Sequence, residues 1–129
     1  MSDGPYVVDA SAVLAVIFRE SGQENIRPIL DGARISAVNL SEVVARLIDR
    51  GSTDEDIDWA LADMHLKIVP FDGDQAMATA KLRAPTRAKG LSLGDRACLA
   101  LAAAEQATVM TTDRAWATLD LPIPIKLAR

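Results

Sequence analysis

The chain alternates short β-branched runs with longer stretches in which apolar residues recur every three or four positions. Tyr6-Val7-Val8 reads as a first strand ending at Asp9. A helix over residues 11–19 follows, with Leu14, Ile17 and Phe18 on one buried stripe. A short helix over 25–30 leads through Asp31-Gly32 into a second strand over 34–38. Residues 40–50 are then helical, with Val43, Val44, Leu47 and Ile48 facing inward, until Gly51-Ser52 stops them. The next helix, 54–64, sets Ile57, Ala60, Leu61 and Met64 against a polar face of Asp54, Glu55, Asp58 and Asp63. A third strand covers 67–69, a helix 74–82, a basic loop 84–90, and an alanine- and leucine-rich helix 93–106. Residues 108–112 form a fourth strand and 114–119 a short helix. The last strand, 123–125, is confined to a sheet edge by Pro124. Strands alternating with helices in this way predict an α/β fold of parallel strands joined by crossover helices. No repeat, low-complexity tract or linker divides the chain, and its 129 residues suit one domain spanning 1–129.

Composition narrows the function classes. Half the residues are hydrophobic, enough for a core and too many for a disordered chain. No apolar stretch approaches the roughly 20 residues that span a bilayer. The opening Met1-Ser2-Asp3-Gly4-Pro5 carries an acid where a secretory signal carries cations, so a soluble, cytoplasmic protein without a membrane partner is expected. The single cysteine, Cys98, has no companion for a disulfide and no histidine at ligand spacing, which argues against zinc and redox chemistry. Eighteen acids against fourteen bases give a formal charge of -4, without the field of a general nucleic-acid binder. A polyanion handled by such a chain must be met locally, with help from a metal cation.

The positions of four acids matter more than the total. Asp9 follows the first strand, Glu42 opens the helix after the second, Asp95 opens the helix before the fourth, and Asp113 follows the fourth. In an open parallel sheet the carboxyl ends of the strands share one rim, where helix N-termini gather and ligands bind. Each acid also has a purely structural reading. Asp9 and Asp113 fit N-caps, and Asn39-Leu40-Ser41-Glu42 and Ser92-Leu93-Gly94-Asp95 both have capping-box spacing. Together they resist that reading, because carboxylates gathered within about 5 Å repel by roughly 3 kcal/mol per pair at an effective dielectric near 20. Helix N-termini offset part of this, and a hard divalent cation offsets the rest. Oxygen donors without thiolate or imidazole favour Mg²⁺ or Mn²⁺.

At these residues the sequence resembles a PIN-domain ribonuclease, and within that family the VapC-type toxin of a toxin-antitoxin pair. The segments that carry the resemblance are Tyr6-Val7-Val8-Asp9-Ala10-Ser11-Ala12, residues 38–47 around Glu42, residues 91–102 around Asp95, and Met110-Thr111-Thr112-Asp113-Arg114-Ala115-Trp116. The resemblance implies a three-layer α/β/α sandwich around a five-stranded parallel sheet ordered 3-2-1-4-5. It implies metal-dependent endonucleolytic hydrolysis of RNA, structured RNA such as tRNA or rRNA included. Asp9, Asp95 and Asp113 form the implied metal site, with Glu42 holding the attacking water. One or two cations neutralise the phosphodiester and lower the pKa of a bound water. A VapB-type antitoxin is the implied partner, and a homodimer the implied assembly. The apolar face of 54–64 offers that antitoxin a docking surface or packs in the core.

Lesser candidates surround the four acids. The hydroxyls of Ser11 and Thr112 can orient a carboxylate or simply bond a helix start. Arg46, four residues after Glu42, can pair with it along the helix. Arg96 and Arg114 directly follow site acids and either touch the RNA strand or lie on the surface. Lys81, Arg83, Arg87 and Lys89 make the one pronounced basic run, an RNA track or a solvated loop. Trp59 and Trp116 read as packing or interface residues, His65 as a histidine without a partner, and Asp72 and Asp74 as a turn and a helix cap. A signalling receiver domain is the nearest rival, but Asp9 has no acidic neighbour and Lys126 no closing helix beyond it. A noncatalytic scaffold of the same fold is the other alternative. No Gly-x-x-x-x-Gly-Lys run marks a P-loop.

Overall fold

A computed structural model describes residues 4–129; Met1, Ser2 and Asp3, which begin the leading segment considered above, lie outside them. Its elements in chain order are β1 (Tyr6–Val8), α1 (Ala10–Ile17), α2 (Gln23–Leu30), β2 (Arg34–Ser36), α3 (Ala37–Asp49), α4 (Asp54–Met64) and β3 (Lys67–Val69). There follow α5 (Gly73–Lys81), α6 (Arg83–Thr86), a 3-10 turn (Arg87–Lys89), α7 (Leu93–Glu105), β4 (Thr108–Thr111), a second 3-10 turn (Arg114–Thr118) and β5 (Ile125–Leu127).

The strands form one five-stranded sheet, order β3-β2-β1-β4-β5, with every pairing parallel. This is the expected α/β architecture and strand order. Successive side chains of a strand point to opposite faces, so β1 feeds two cores. Tyr6 and Val8 pack with residues of α1 to α4, while Val7 packs with Cys98, Leu99 and Leu101 of α7 and with Val109 and Trp116. β1 is buried on both faces, as a central parallel strand must be, which is why it is an uninterrupted apolar run.

Several boundaries differ from the expected ones. β2 stops at Ser36, whose hydroxyl accepts a bond from Val38 N at 3.2 Å and starts α3 three residues earlier than periodicity suggested. Asn39 and Glu42 therefore lie inside the helix and do not form a capping box. On α1 the deeply buried residues are Ala12, Val13, Ala15 and Val16; Leu14, Ile17 and Phe18 are only half-buried. Small residues let that helix lie close to the sheet. On α3, Val43 and Leu47 are buried but Ile48 is 57% exposed. The basic segment 84–90 is no loop but α6 and a 3-10 turn. β5 begins at Ile125, leaving Pro124 outside the strand, where its carbonyl accepts from Val109 N. Lacking an N–H, Pro124 suits the approach to an edge strand, and β5 is an edge.

Candidate active site

The chain runs outward from β1 to β2 and β3, then returns to place β4 on the other side of β1. A crevice opens at such a reversal beyond the strand ends, and Asp9 and Asp113 follow the two strands that flank it. Asp9 is 5% exposed and caps α1. Its Oδ1 accepts from Ser11 Oγ at 2.8 Å and Ala12 N at 2.9 Å, and its Oδ2 accepts from Thr111 Oγ1 at 2.6 Å. Ser11 Oγ in turn accepts from Thr112 N at 3.1 Å, and Thr111 Oγ1 from Asp113 N at 3.1 Å. One carboxylate is thus stitched to both central strands.

Thr111 is the residue that the sequence reading missed. Thr112 contributes its backbone N–H, whereas the hydroxyl on Asp9 belongs to Thr111. The β1–β4 register pairs Val8 with Met110, and one further step sets Asp9 beside Thr111. Burial pushes the Asp9 carboxyl up from its ordinary 3.8 to about 6 against the lowering pull of the bonds from Thr111, Ala12 and Ser11; the charge of Asp95 pushes it the same way.

Asp95 sits in the first turn of α7. Its Oδ2 accepts from Ser92 N at 3.0 Å while its own N–H bonds Ser92 Oγ at 3.2 Å, completing the expected capping box. Glu42 is exposed and leans over the same turn. An added Cβ on Gly94 would lie 2.5 Å from both of its carboxylate oxygens, so only glycine leaves room for Glu42 there. Asn39, a second missed residue, is 1% exposed and donates through Nδ2 to Glu42 Oε1 at 2.8 Å and to Gly94 O at 3.1 Å. It ties α3 to the first turn of α7, the turn that carries Asp95. Its Oδ1 is buried and accepts no bond. Burial pushes the Cys98 thiol well above its ordinary range, and the charges of Asp9, Asp95 and Glu42 push it the same way. Asp113 stands at the edge: it is exposed, and its Oδ1 accepts from Ala115 N at 3.1 Å, starting the second 3-10 turn.

A cavity of about 360 Å³ adjoins the acids, lined by Ser11, Glu42, Thr112, Phe18, Arg46 and Arg129 among others. Arg46 lines this cavity and makes no ion pair with Glu42; the ion pairs among the described residues are Arg34–Glu105 at 3.5 Å and His65–Asp31 at 3.9 Å. His65 therefore has an acidic neighbour, on the exposed surface away from the site. Trp116 is buried in the core, whereas Trp59 is 71% exposed on α4. Asp72 caps α5 through Gln75 N at 2.9 Å, and Asp74 lies in that helix's first turn.

Among the described residues no three acids are gathered ready as a metal cage, because Asp95 and Asp113 each hold the start of their own helix or turn. The donor set nevertheless suits a hard divalent cation. The groups on offer are carboxylate, hydroxyl and amide oxygens, the Cys98 thiol is buried and pushed toward its protonated form, and no basic side chain among the described residues lowers the Asp9 carboxyl.

An open parallel sheet with a buried carboxylate, Asp9, at its strand-order reversal defines an α/β protein with an acidic crevice. The chain belongs to the PIN domain family, whose model matches residues 6–121. Comparison with curated protein sequences gives no match. Among solved structures it is similar to a toxin-antitoxin complex from Klebsiella pneumoniae, at 15% identity and TM-score 0.76, over 98% of each chain. It is likewise similar to VapBC2 from Rickettsia felis bound to a promoter DNA fragment, at 19% identity and TM-score 0.73, over 94% of this chain and 96% of that one. A third similar structure is VapBC-5 from Mycobacterium tuberculosis, at 22% identity and TM-score 0.59, over 99% of each chain. No helix among the described residues is long and apolar enough to cross a membrane.

Proposed function

We propose that this protein is the VapC-type toxin of a toxin-antitoxin pair, an endoribonuclease that hydrolyses RNA phosphodiester bonds with Mg²⁺ or Mn²⁺ and is silenced by a VapB-type antitoxin. The observation that carries the reading is the buried Asp9 carboxylate at the strand-order reversal, with the charge of Asp95 acting on it and Glu42 lying over the same first turn of α7 that holds Asp95. Membership of the PIN domain family and the likeness to a toxin-antitoxin complex and to a VapBC toxin-antitoxin system support it. The assembly expected is a homodimer in the cytoplasm.

Asp9, Asp95 and Asp113 would hold the cation. Once bound, it supplies the positive charge that lets an anionic phosphodiester be attacked by an oxygen nucleophile. The chain's own residues do the rest. Ser11 and Thr111 fix both oxygens of Asp9, so that carboxylate needs no reorganisation. Glu42, exposed yet anchored through Asn39, is the acid free to take a proton from water. Arg46, in the same cavity, is placed to meet a phosphate oxygen.

The test is cleavage of RNA by purified, antitoxin-free protein in Mg²⁺ or Mn²⁺. Cleavage leaving 5′-phosphate and 3′-hydroxyl ends is expected, with abolition by chelation and by Asp9→Asn or Asp95→Asn in folded protein. Unimpaired cleavage by both variants would refute the mechanism.

A further inference from the structure

A second notch lies beside the start of α7. It has a volume of about 250 Å³ and is lined by Arg83, Thr86, Arg87, Gly90, Leu91 and Arg96. Three arginines line it and no acid does. None of the three is in an ion pair among the described residues, in a chain whose net charge is negative. Like charges brought to one hollow repel, and folding gains nothing from that unless an anion arrives. The walls are built. The Thr86 hydroxyl donates to Leu82 O at 2.6 Å, fixing α6, and half-buried Leu91 packs into the core. Arg96 is half-buried and donates through Nε to Ser92 O at 3.4 Å.

Ser92 sets the distance between notch and acids. Its N–H holds the Asp95 carboxylate and its carbonyl holds the Arg96 guanidinium, so acid and cation hang from one residue. A polyanion whose scissile phosphate lies at the acids, and which runs along this turn, brings a neighbouring phosphate to the arginines. Arginine's planar fork matches two phosphate oxygens at once, and the N-terminal end of thirteen-residue α7 adds partial positive charge. We propose that Arg83, Arg87 and Arg96 form a subsite for a backbone phosphate of the RNA strand flanking the scissile bond. The assignment rests on the nuclease reading above for the identity of the polyanion, and what it adds is where that strand is gripped.

The experiment separates gripping from cutting. Binding of a fluorescein-labelled, mixed-sequence 12-nucleotide RNA to full-length protein carrying Asp9→Asn is followed by anisotropy across a salt series. Arg83→Gln and Arg87→Gln, both at exposed positions, should each weaken binding about tenfold. Each should also flatten the dependence of log affinity on log salt by up to about 0.7, the contribution of one phosphate contact on a single strand. Lys67→Gln, on edge strand β3, should leave affinity within about twofold. Arg87→Lys, which keeps the charge without the fork, should recover only part of the loss. In the cleaving protein the same Arg→Gln changes should raise KM more than they lower kcat. Affinity and salt slope unchanged in both arginine variants would overturn the subsite. So would loss of binding to a co-expressed antitoxin with RNA binding intact, which would make the notch a seat for an acidic peptide. A protein that grips RNA through these arginines yet never cuts it would refute the nuclease reading and leave the subsite standing.

Discussion

Replacing Gly94 by alanine isolates the role of Glu42 without touching a charged group. The new Cβ would sit 2.5 Å from each Glu42 carboxylate oxygen and 2.6 Å from its Cδ, where ordinary contact begins at 3.4 Å, so the carboxylate must retreat by about 1 Å. Glu42 is an exposed, flexible side chain, and the contacts that a Cβ would make closest are all with it, so the fold itself is not strained. Losing the 2.8 Å bond from Asn39 costs about 1 kcal/mol, and alanine's advantage over glycine in a helix returns up to about 1 kcal/mol. Stability in urea should therefore change by no more than about 1 kcal/mol. Catalysis should not be so forgiving, because a 1 Å misplacement of a group at the reacting centre costs on the order of a hundredfold. Steady-state cleavage of a defined RNA should show kcat/KM reduced by about that factor in Gly94→Ala. The Glu42→Gln, Gly94→Ala double variant should be no worse than Glu42→Gln alone, since both act through one carboxylate. Wild-type turnover in Gly94→Ala, or losses that multiply in the double variant, would refute the reasoning.

Two further outcomes follow from Asp9. Its carboxyl titrates near 6 in the folded, metal-free protein and at 3.8 as an ordinary group; between those values the folded state keeps a proton that the unfolded state has lost, so stability falls as pH rises. The contribution is fully present below about 4 and lost above about 6, a change of about 3 kcal/mol at 1.36 kcal/mol per pH unit. Urea unfolding in chelator from pH 4 to 7 should show that fall in the wild type and not in Asp9→Asn, and parallel pH profiles would sink it. Thr111→Val removes the 2.6 Å donor to Asp9 at nearly constant volume, so it should raise the Asp9 pKa further. The acid limb of the pH–rate profile should then move to higher pH; an unmoved limb would mean that Thr111 serves packing alone.

The sequence carried the strand order's raw material because each strand is short, apolar and bounded by turn residues, and because Asp9 and Asp95 occupy cap positions that the code for helix starts makes visible. It was silent where two readings share one signal. Ala37 and Val38 extend a β-branched run, and only the Ser36 hydroxyl bond to Val38 N shows that the chain has already turned helical. Asn39 looked like a cap because caps and buried bridging amides use the same side chain; its bond to Gly94 O spans 55 residues, a separation that periodicity does not see. Thr111 and Thr112 are adjacent and chemically identical, and the choice between them is made by inter-strand register. Arg83, Arg87 and Arg96 converge only because what reads as a basic loop is wound into α6 and a 3-10 turn.

The bonds that Thr111 donates to Asp9 and that Thr112 N donates to Ser11 tie the chain just after β1, the central strand, to the end of its neighbour β4. Core strands are among the parts of a fold that open at the highest free energy, so this corner is expected to open late. Fraying, the cheapest way for a protein to idle, is costly at this corner. A group seated in the mouth, by contrast, would restrain the site while leaving these bonds intact.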